Sequence, residues 1–409
     1  MRSVDEHRRV VTGLISAQPP LPVRLADALG LVLAEDVIAP LSLPVFDNSA
    51  MDGYAVRVED VAGAGPDKPV KLPVAEDIPA GRTDRLNLAP GTAHRIMTGA
   101  PMPTGASAVV PVEATDGGMP TVTISSAPGP GRHVRRSGED VTVGTRVLRA
   151  GQVVTPAVLG LVAALGLDRL TVIPRQRVLV ISTGSELVTA GTALAPGQIY
   201  ESNAVMLAAA VREAGAAVLD TATCGDDVEQ FRALLDGCDA DLVITSGGVS
   251  AGAYEVVKDA FAADADGVEF VGVEFVKVAM QPGMPQGAGR TGGTDGRPGC
   301  PIVTLPGNPV SALVSFEVFI RPALRAAMGM GDPDRPQRTA VLTEALTSPA
   351  GKRQFRRGVY DAGAGTVTSY GPPASHHLRW LASANCLLDI AEDITDLAAG
   401  QQVDVWDLS

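Results

Sequence analysis

The chain has 409 residues, of which 45 % are hydrophobic and 4 % aromatic, so it is too long for one ordinary core and predicts roughly two to four domains with aliphatic interiors. A formal net charge of −13 argues against nucleic acid or an anionic membrane as partner, yet leaves room for a small anion held at a local positive site. No apolar run approaches the ~20 residues of a membrane span, MRSVDEHRRV lacks a leader's apolar segment, and Cys224, Cys238, Cys300 and Cys386 show no metal-ligand spacing; the expectation is a cytoplasmic protein with inert thiols.

Ser3 to Ala17 predicts an amphipathic helix, with Ser3 and Glu6 as a capping box and Val4, Val10, Val11, Leu14 and Ile15 as its apolar stripe. The pair Pro19-Pro20 ends it, and a short helix (24–29) and an extended piece (33–38) follow. PVFDNSAMDGY, residues 44–54, is dense in turn formers and carries Asp47 and Asp52; Asp47 reads as a turn residue bonding nearby backbone. Between 55 and 134 the segments 70–74, 92–97, 108–112 and 121–124 are short, β-branched and separated by glycine and proline, which predicts a small inserted β domain. Residues 134–143, with Arg135, Arg136, Gly138, Glu139 and Asp140, read as a solvated turn. Thr155 and Pro156 begin a helix to Leu165, expected to pack back onto the first helix and so to join one elongated helical region.

From Leu170 the pattern becomes α/β, with strands expected near Val178, Ala217, Leu242, Phe270 and Ile302 and helices near Ala204, Asp227, Tyr254 and Val310. Three of these strands open into loops of small residues: STGSE after Val178–Ile181, SGGVSAG after Leu242–Thr245, and PGNP after Ile302–Leu305. Such a loop brings backbone N–H groups and hydroxyls to a helix start, where an anion is favoured. If the strands are parallel neighbours, the three loops share the carboxyl edge of one sheet, where doubly wound sheets bind ligands. The glycine-rich stretch between Pro282 and Pro301 predicts a flexible hairpin tip. Short strands return between Arg338 and Trp406 as a terminal β domain. His376 and His377 are adjacent, so on a strand at most one could be a ligand; a phosphate contact or a surface position is the expectation.

PVFDNSAMDGYAV, MTGAPMP, RRSGED, STGSEL, ESN, TSGGVS, LPGNPVSA and FRRG stand in the order and at roughly the spacing of one family. Over nearly its whole length the chain resembles the molybdopterin molybdotransferases, the MoeA group that includes the C-terminal part of gephyrin. The resemblance implies a multidomain α/β and β protein: an elongated helical dimerisation domain (1–48 and 135–169), an inserted small β domain (49–134), a doubly wound α/β molybdopterin-binding domain (170–331) and a C-terminal β barrel (332–409). It implies insertion of molybdate into adenylylated molybdopterin with release of AMP, assisted by Mg2+. It further implies a cytosolic homodimer, contact with other proteins of the pathway, and a cleft completed by the MDGY and GED loops of the second subunit.

Carried over residue by residue, Thr183, Gly184, Ser185, Ser246, Gly247, Gly248, Ser250, Pro306, Gly307, Asn308 and Ser311 resemble the substrate-binding set, and Glu186, Asp227 and Glu255 the metal contacts. Asp52, Asp140, Glu255 and Lys277 resemble the catalytic groups, with Lys277 and Arg357 holding oxyanion charge. Two positions depart from the family pattern: Glu255 stands where an aspartate is usual, and Gln281 where a second lysine is usual. Two alternatives follow. The α/β domain also resembles the molybdopterin adenylyltransferases, which the inserted β domain and terminal barrel disfavour, and a non-catalytic paralogue would keep the ligand or partner binding without turnover.

Overall fold

The computed structural model describes residues 1–236, 238–249, 256–261, 272–292 and 299–409. Ser250, Glu255, the helix start at Tyr254 and the expected strand near Phe270 lie outside the described residues. The chain forms two compact units, one of Met1–Pro22, Gly30–Ala34 and Thr171–Ser409, the other of Val23–Leu29 and Glu35–Leu170.

In the smaller unit, the β-branched segments build a five-stranded sheet in the order Ala108–Pro111, Gly53–Val56, Ala93–Ile96, Val70–Ile78, Thr121–Ile124. Tyr54, Val56, Val110, Val122 and Ile124 fill one of its faces, and the Tyr54 hydroxyl donates to the Gly118 carbonyl at 3.1 Å. Gly53 of MDGY begins a strand so close to its neighbour that a Cβ there would lie 2.0 Å from the Val110 carbonyl oxygen. Asn48–Ser49 pairs antiparallel with Val134–Arg135, which makes the PVFDNS and RRSGED stretches neighbours. Outside the sheet, among the described residues, this unit has short strand pairs and one α-helix, Pro156–Ala164, capped by the Thr155 hydroxyl.

The larger unit holds a six-stranded sheet in the order Ala217–Cys224, Arg177–Thr183, Leu242–Ser246, Pro301–Leu305, Pro285–Arg290, Glu274–Lys277. The first four strands are parallel, Pro285–Arg290 runs antiparallel to them, and Glu274–Lys277, antiparallel to Pro285–Arg290, returns to the first direction. Leu242–Ser246 is buried at every position, as expected of a strand covered on both faces. From Arg177–Thr183 the chain goes first to one neighbour and then to the other, so the order reverses between Arg177–Thr183 and Leu242–Ser246. That is the topological switch point.

Two expectations are corrected here. The glycine-rich stretch after Pro282 contains a sheet strand, Pro285–Arg290, and its glycines make the pairing possible. A Cβ on Gly287 would lie 2.2 Å from the Thr304 hydroxyl, and one on Gly289 2.0 Å from the Gly272 carbonyl. The first helix, Val4–Leu14, forms with its capping box: the Glu6 N–H donates to Ser3 Oγ at 3.1 Å and the Ser3 N–H to Glu6 Oε2 at 3.2 Å. Its apolar face is not left for the helix at 155–165. Val4, Val11 and Ile15 are buried in the core of the larger unit with Phe316, Phe319 and Ala323.

The C-terminal strands Arg353–Asp361, Thr366–Ser369, Gln337–Leu342, Gln402–Asp407 and Cys386–Ile390 close into a five-stranded barrel, the last pairing back onto the first. Leu342, Val367, Leu388 and Val405 fill it. Met280–Gln281 pairs with Arg353–Gln354 and ties the barrel to the α/β sheet. All four cysteines are free, and burial pushes the Cys300 and Cys386 thiols up to about 12, so both stay protonated and unreactive. Among the described residues no helix is long and apolar enough to cross a membrane.

Candidate functional site

The carboxyl ends of three parallel strands meet in one cleft of about 660 Å³. Thr183 and Gly184 line it from the first strand, Ser246, Gly247 and Gly248 from the second, and Pro306, Gly307 and Asn308 from the third. Gly247 and Gly248 hold φ of 94° and 64°, the left-handed region that L side chains avoid. Space enforces the same choice, since a Cβ on Gly247 would lie 2.6 Å from the Thr183 carbonyl oxygen and one on Gly248 2.8 Å from Val257. The Gly247 N–H donates to the Leu305 carbonyl at 3.0 Å, and Thr183 Oγ1 donates to the Ser246 carbonyl at 3.3 Å. The loops are thereby laced to one another.

Acidic groups line the same cleft: Glu186, Glu201 and Asp226. Glu201 Oε1 accepts from Ser182 Oγ at 2.8 Å and from the Ala204 N–H at 2.6 Å, which locks the start of the helix Asn203–Glu213 to the strand Arg177–Thr183. Asn203 Nδ2 donates to the Gly307 carbonyl at 2.7 Å while its buried Oδ1 has no partner. Pro285 and Val249 join this cleft to a second cavity of about 310 Å³ that includes Lys258, Phe275 and Lys277. The barrel contributes His376 and Leu378 to the cleft wall.

Family models match the chain in three consecutive stretches: the MoeA N-terminal region (domain I and II) over residues 2–166, a probable molybdopterin binding domain over 179–326, and the MoeA C-terminal region (domain IV) over 339–408. Molybdopterin molybdenumtransferase 2 of Mycobacterium tuberculosis is 72 % identical over 412 residues, covering 100 % of each chain. Molybdopterin molybdenumtransferase 1 of the same organism is 38 % identical over 429 residues, covering 99 % of this chain and 98 % of that one. The chain belongs to the MoeA family. Its fold agrees with the crystal structure of a MoeA molybdopterin biosynthesis protein from Pyrococcus horikosii, with a TM-score of 0.79 at 28 % identity over 100 % of this chain and 99 % of that one.

Apart from Lys277, which lines the adjoining cavity, the described MoeA-like residues singled out from sequence fall into three groups. Thr183, Gly184, Glu186, Ser246, Gly247, Gly248, Pro306, Gly307 and Asn308 line one cleft. Ser185, Ser311, Asp227 and Arg357 are not part of its lining: Ser185 Oγ accepts from the Asp226 N–H at 3.0 Å, Ser311 is buried in the helix Pro309–Ser315, and Asp227 Oδ1 caps the helix Val228–Leu235 through the N–H groups of Glu229 and Gln230. Arg357, only 3 % exposed, donates to the carbonyls of His377 and Pro372, and burial followed by the charge of Arg356 pulls its pKa below the usual arginine range. Gln281, at the lysine-to-glutamine departure, accepts from Gln354 Nε2 at 2.8 Å.

Asp52 and Asp140 form the third group, on the smaller unit. Asp52 Oδ1 accepts from the Thr98 N–H at 2.6 Å and from Thr98 Oγ1 at 2.9 Å; the backbone bond first and the hydroxyl second hold its pKa below the usual carboxylate range. Asp140 is exposed on the GED loop, and its N–H donates to the Leu43 carbonyl at 3.1 Å. Asp47 joins the two loops by accepting from Arg136 Nη1 at 2.6 Å and from the Ser137 N–H at 2.8 Å.

Among the described residues no three His, Cys, Asp or Glu side chains cluster to hold a metal. The donor set still fits Mg2+, because that ion is usually held by one or two carboxylates together with substrate phosphates, and Glu186 and Asp226 place hard oxygens in the cleft. Among the polar cleft residues, Glu201, Asn203 and Asp226 were given no role from sequence, whereas His376 was expected as a phosphate contact or a surface position. The ESN motif was the available signal for the first two. For Asp226 the sequence offered the Asp-Asp pair before a helix, without showing which of the two takes the cap.

Proposed function

We propose that this protein is a molybdopterin molybdenumtransferase that binds adenylylated molybdopterin in the switch-point cleft, inserts molybdate and releases AMP. The observation that carries the reading is the convergence of three glycine and hydroxyl loops on one cleft, in a chain 72 % identical along its length to a named molybdopterin molybdenumtransferase. Backbone N–H groups of the three loops orient the phosphates, and the hydroxyls of Thr183 and Ser246 brace those loops from within. Glu186 and Asp226 would hold Mg2+, which when bound offsets the charge developing at the severed phosphate. Lys277, in the adjoining cavity, holds the molybdate oxyanion, an electrostatic contribution greatest where water is excluded.

The four-domain division, cytoplasmic location and homodimer belong to the same reading, with Asp52 and Asp140 reaching the cleft of the partner subunit as its facing carboxylates. The purified protein should release AMP from adenylylated molybdopterin only when molybdate and Mg2+ are both present, followed by chromatography of the nucleotide. Formation of adenylylated molybdopterin from ATP would favour the adenylyltransferase reading instead. Binding without AMP release would favour the non-catalytic one.

A further inference from the structure

The described residues lining the cleft include three carboxylates, Glu186, Glu201 and Asp226, and no lysine or arginine; the one basic side chain among them is the imidazole of His376. Its place is built. The loop from Gly371 to His377 is held at both ends by Arg357, whose guanidinium donates to the carbonyls of Pro372 and His377. It is also tied to the third cradle loop, because the Val310 N–H donates to the Ser375 carbonyl at 3.0 Å. A nearly fully buried arginine that donates to two carbonyls of one loop fixes backbone, and the residue between those anchors that reaches the cleft is His376.

We propose that His376 is the barrel's contact to the phosphate of the substrate, and that its protonation strengthens binding of the phosphate-bearing ligand. Arg357 then acts as a positioning residue that sets His376 over the cleft. The inference rests on the proposed reading that the cleft takes a nucleotide-linked pterin. The charged and titratable groups around His376 are His377, whose ring meets it edge-on with centroids 4.4 Å apart, Arg357 behind the loop, the carboxylates of Glu186, Glu201 and Asp226 with Tyr200 on the cleft wall, and Lys258 and Lys277 in the adjoining cavity. A His376→Gln substitution leaves every one of these groups in place.

The test is calorimetric binding of AMP to the full chain at pH 6 and pH 8.5, with adenosine as the ligand lacking phosphate. Because the AMP phosphate itself titrates near pH 6, the quantity read is the ratio of variant to wild-type Kd at each pH. His376→Gln is expected to weaken AMP roughly three- to fivefold at pH 6, the range of an exposed ion pair, and to match wild type at pH 8.5, with adenosine unchanged at both. Arg357→Lys should reproduce that pattern with a folded barrel seen by circular dichroism, and His377→Gln should keep the wild-type pH dependence. An NMR titration should show the His376 pKa rising when AMP is bound. Equal ratios at the two pH values overturn the His376 contact while leaving the cleft assignment standing; a wild type that binds neither AMP nor molybdopterin at either pH overturns both.

Discussion

Gly247 and Gly307 are neighbours in the cleft wall, and only one of them is compelled to be glycine. At Gly247 the φ of 94° and the 2.6 Å approach of a Cβ to the Thr183 carbonyl act together, whereas a Cβ on Gly307 would meet Gly247 Cα at 3.4 Å, an ordinary contact. Gly247→Ala should therefore cost roughly 1–3 kcal/mol of stability and abolish AMP binding, while Gly307→Ala should leave the melting temperature nearly unchanged; paired thermal scans and calorimetry check both. A second contrast separates adjacent aspartates. Asp227→Ala removes a helix cap worth about 1 kcal/mol and should leave the Mg2+ requirement intact, because its oxygen is engaged by Glu229 and Gln230. Asp226→Asn should raise the Mg2+ needed for half-maximal AMP release with little change in stability. If Asp227→Ala alone raises that requirement, the metal assignment in the cleft returns to Asp227. The glycine and hydroxyl cradle was legible because strand periodicity ends abruptly at each loop. The choice between Asp226 and Asp227 was not, since it depends on which residue the helix recruits as its cap.

The first helix shows how far an element can be read and where reading stops. Its start, capping box and apolar stripe follow from Ser3, Glu6 and the spacing of Val4, Val11 and Ile15, but its partner depends on tertiary placement that periodicity does not encode. That placement buries His7 completely, edge-on to Phe319 with ring centroids 4.8 Å apart and with neither ring nitrogen bonded. Burial first, then the charge of Arg2, lowers its pKa from 6.5 to about 4, with Glu274 opposing. The native state thus refuses a proton that the unfolded chain accepts below pH 6.5. Stability from this group is present in full above that pH and is lost as pH falls toward 4, by about 3 kcal/mol in all. Urea unfolding at pH 7 and pH 5 should show His7→Leu losing about 2 kcal/mol less than wild type between the two; equal losses would mean that His7 does not carry the acid sensitivity. The strand Pro285–Arg290 is the opposite case. Its composition spoke for a mobile tip, and only the close approach of Phe275 and Thr304 to Gly287 explains why small residues were needed inside a sheet.

At the scale of the whole molecule, the described structure puts the cradle on one compact unit and Asp52 and Asp140 on the other, and the proposed dimer has each cleft completed by its partner. That arrangement makes a quantitative prediction. Gly247→Ala disables the cradle, and Asp52→Asn keeps the bonds to Thr98 while removing the charge, so each variant alone should be folded and inactive in AMP release. In a dimer containing one of each, one cleft unites the damaged cradle with the damaged loop and the other unites two intact halves. Random exchange of equal amounts makes half of the dimers mixed, each with one working site of two, so activity should return to about a quarter of wild type. If instead each subunit completed its own cleft, every site would carry one lesion and the mixture would stay inactive at any ratio. Sedimentation of the mixture fixes the dimer fraction, and measuring AMP release against mixing ratio should give a curve with its maximum at equal amounts. A flat line from verified mixed dimers would assign Asp52 to the cleft of its own chain, and a protein that sediments only as a monomer would remove the shared cleft altogether.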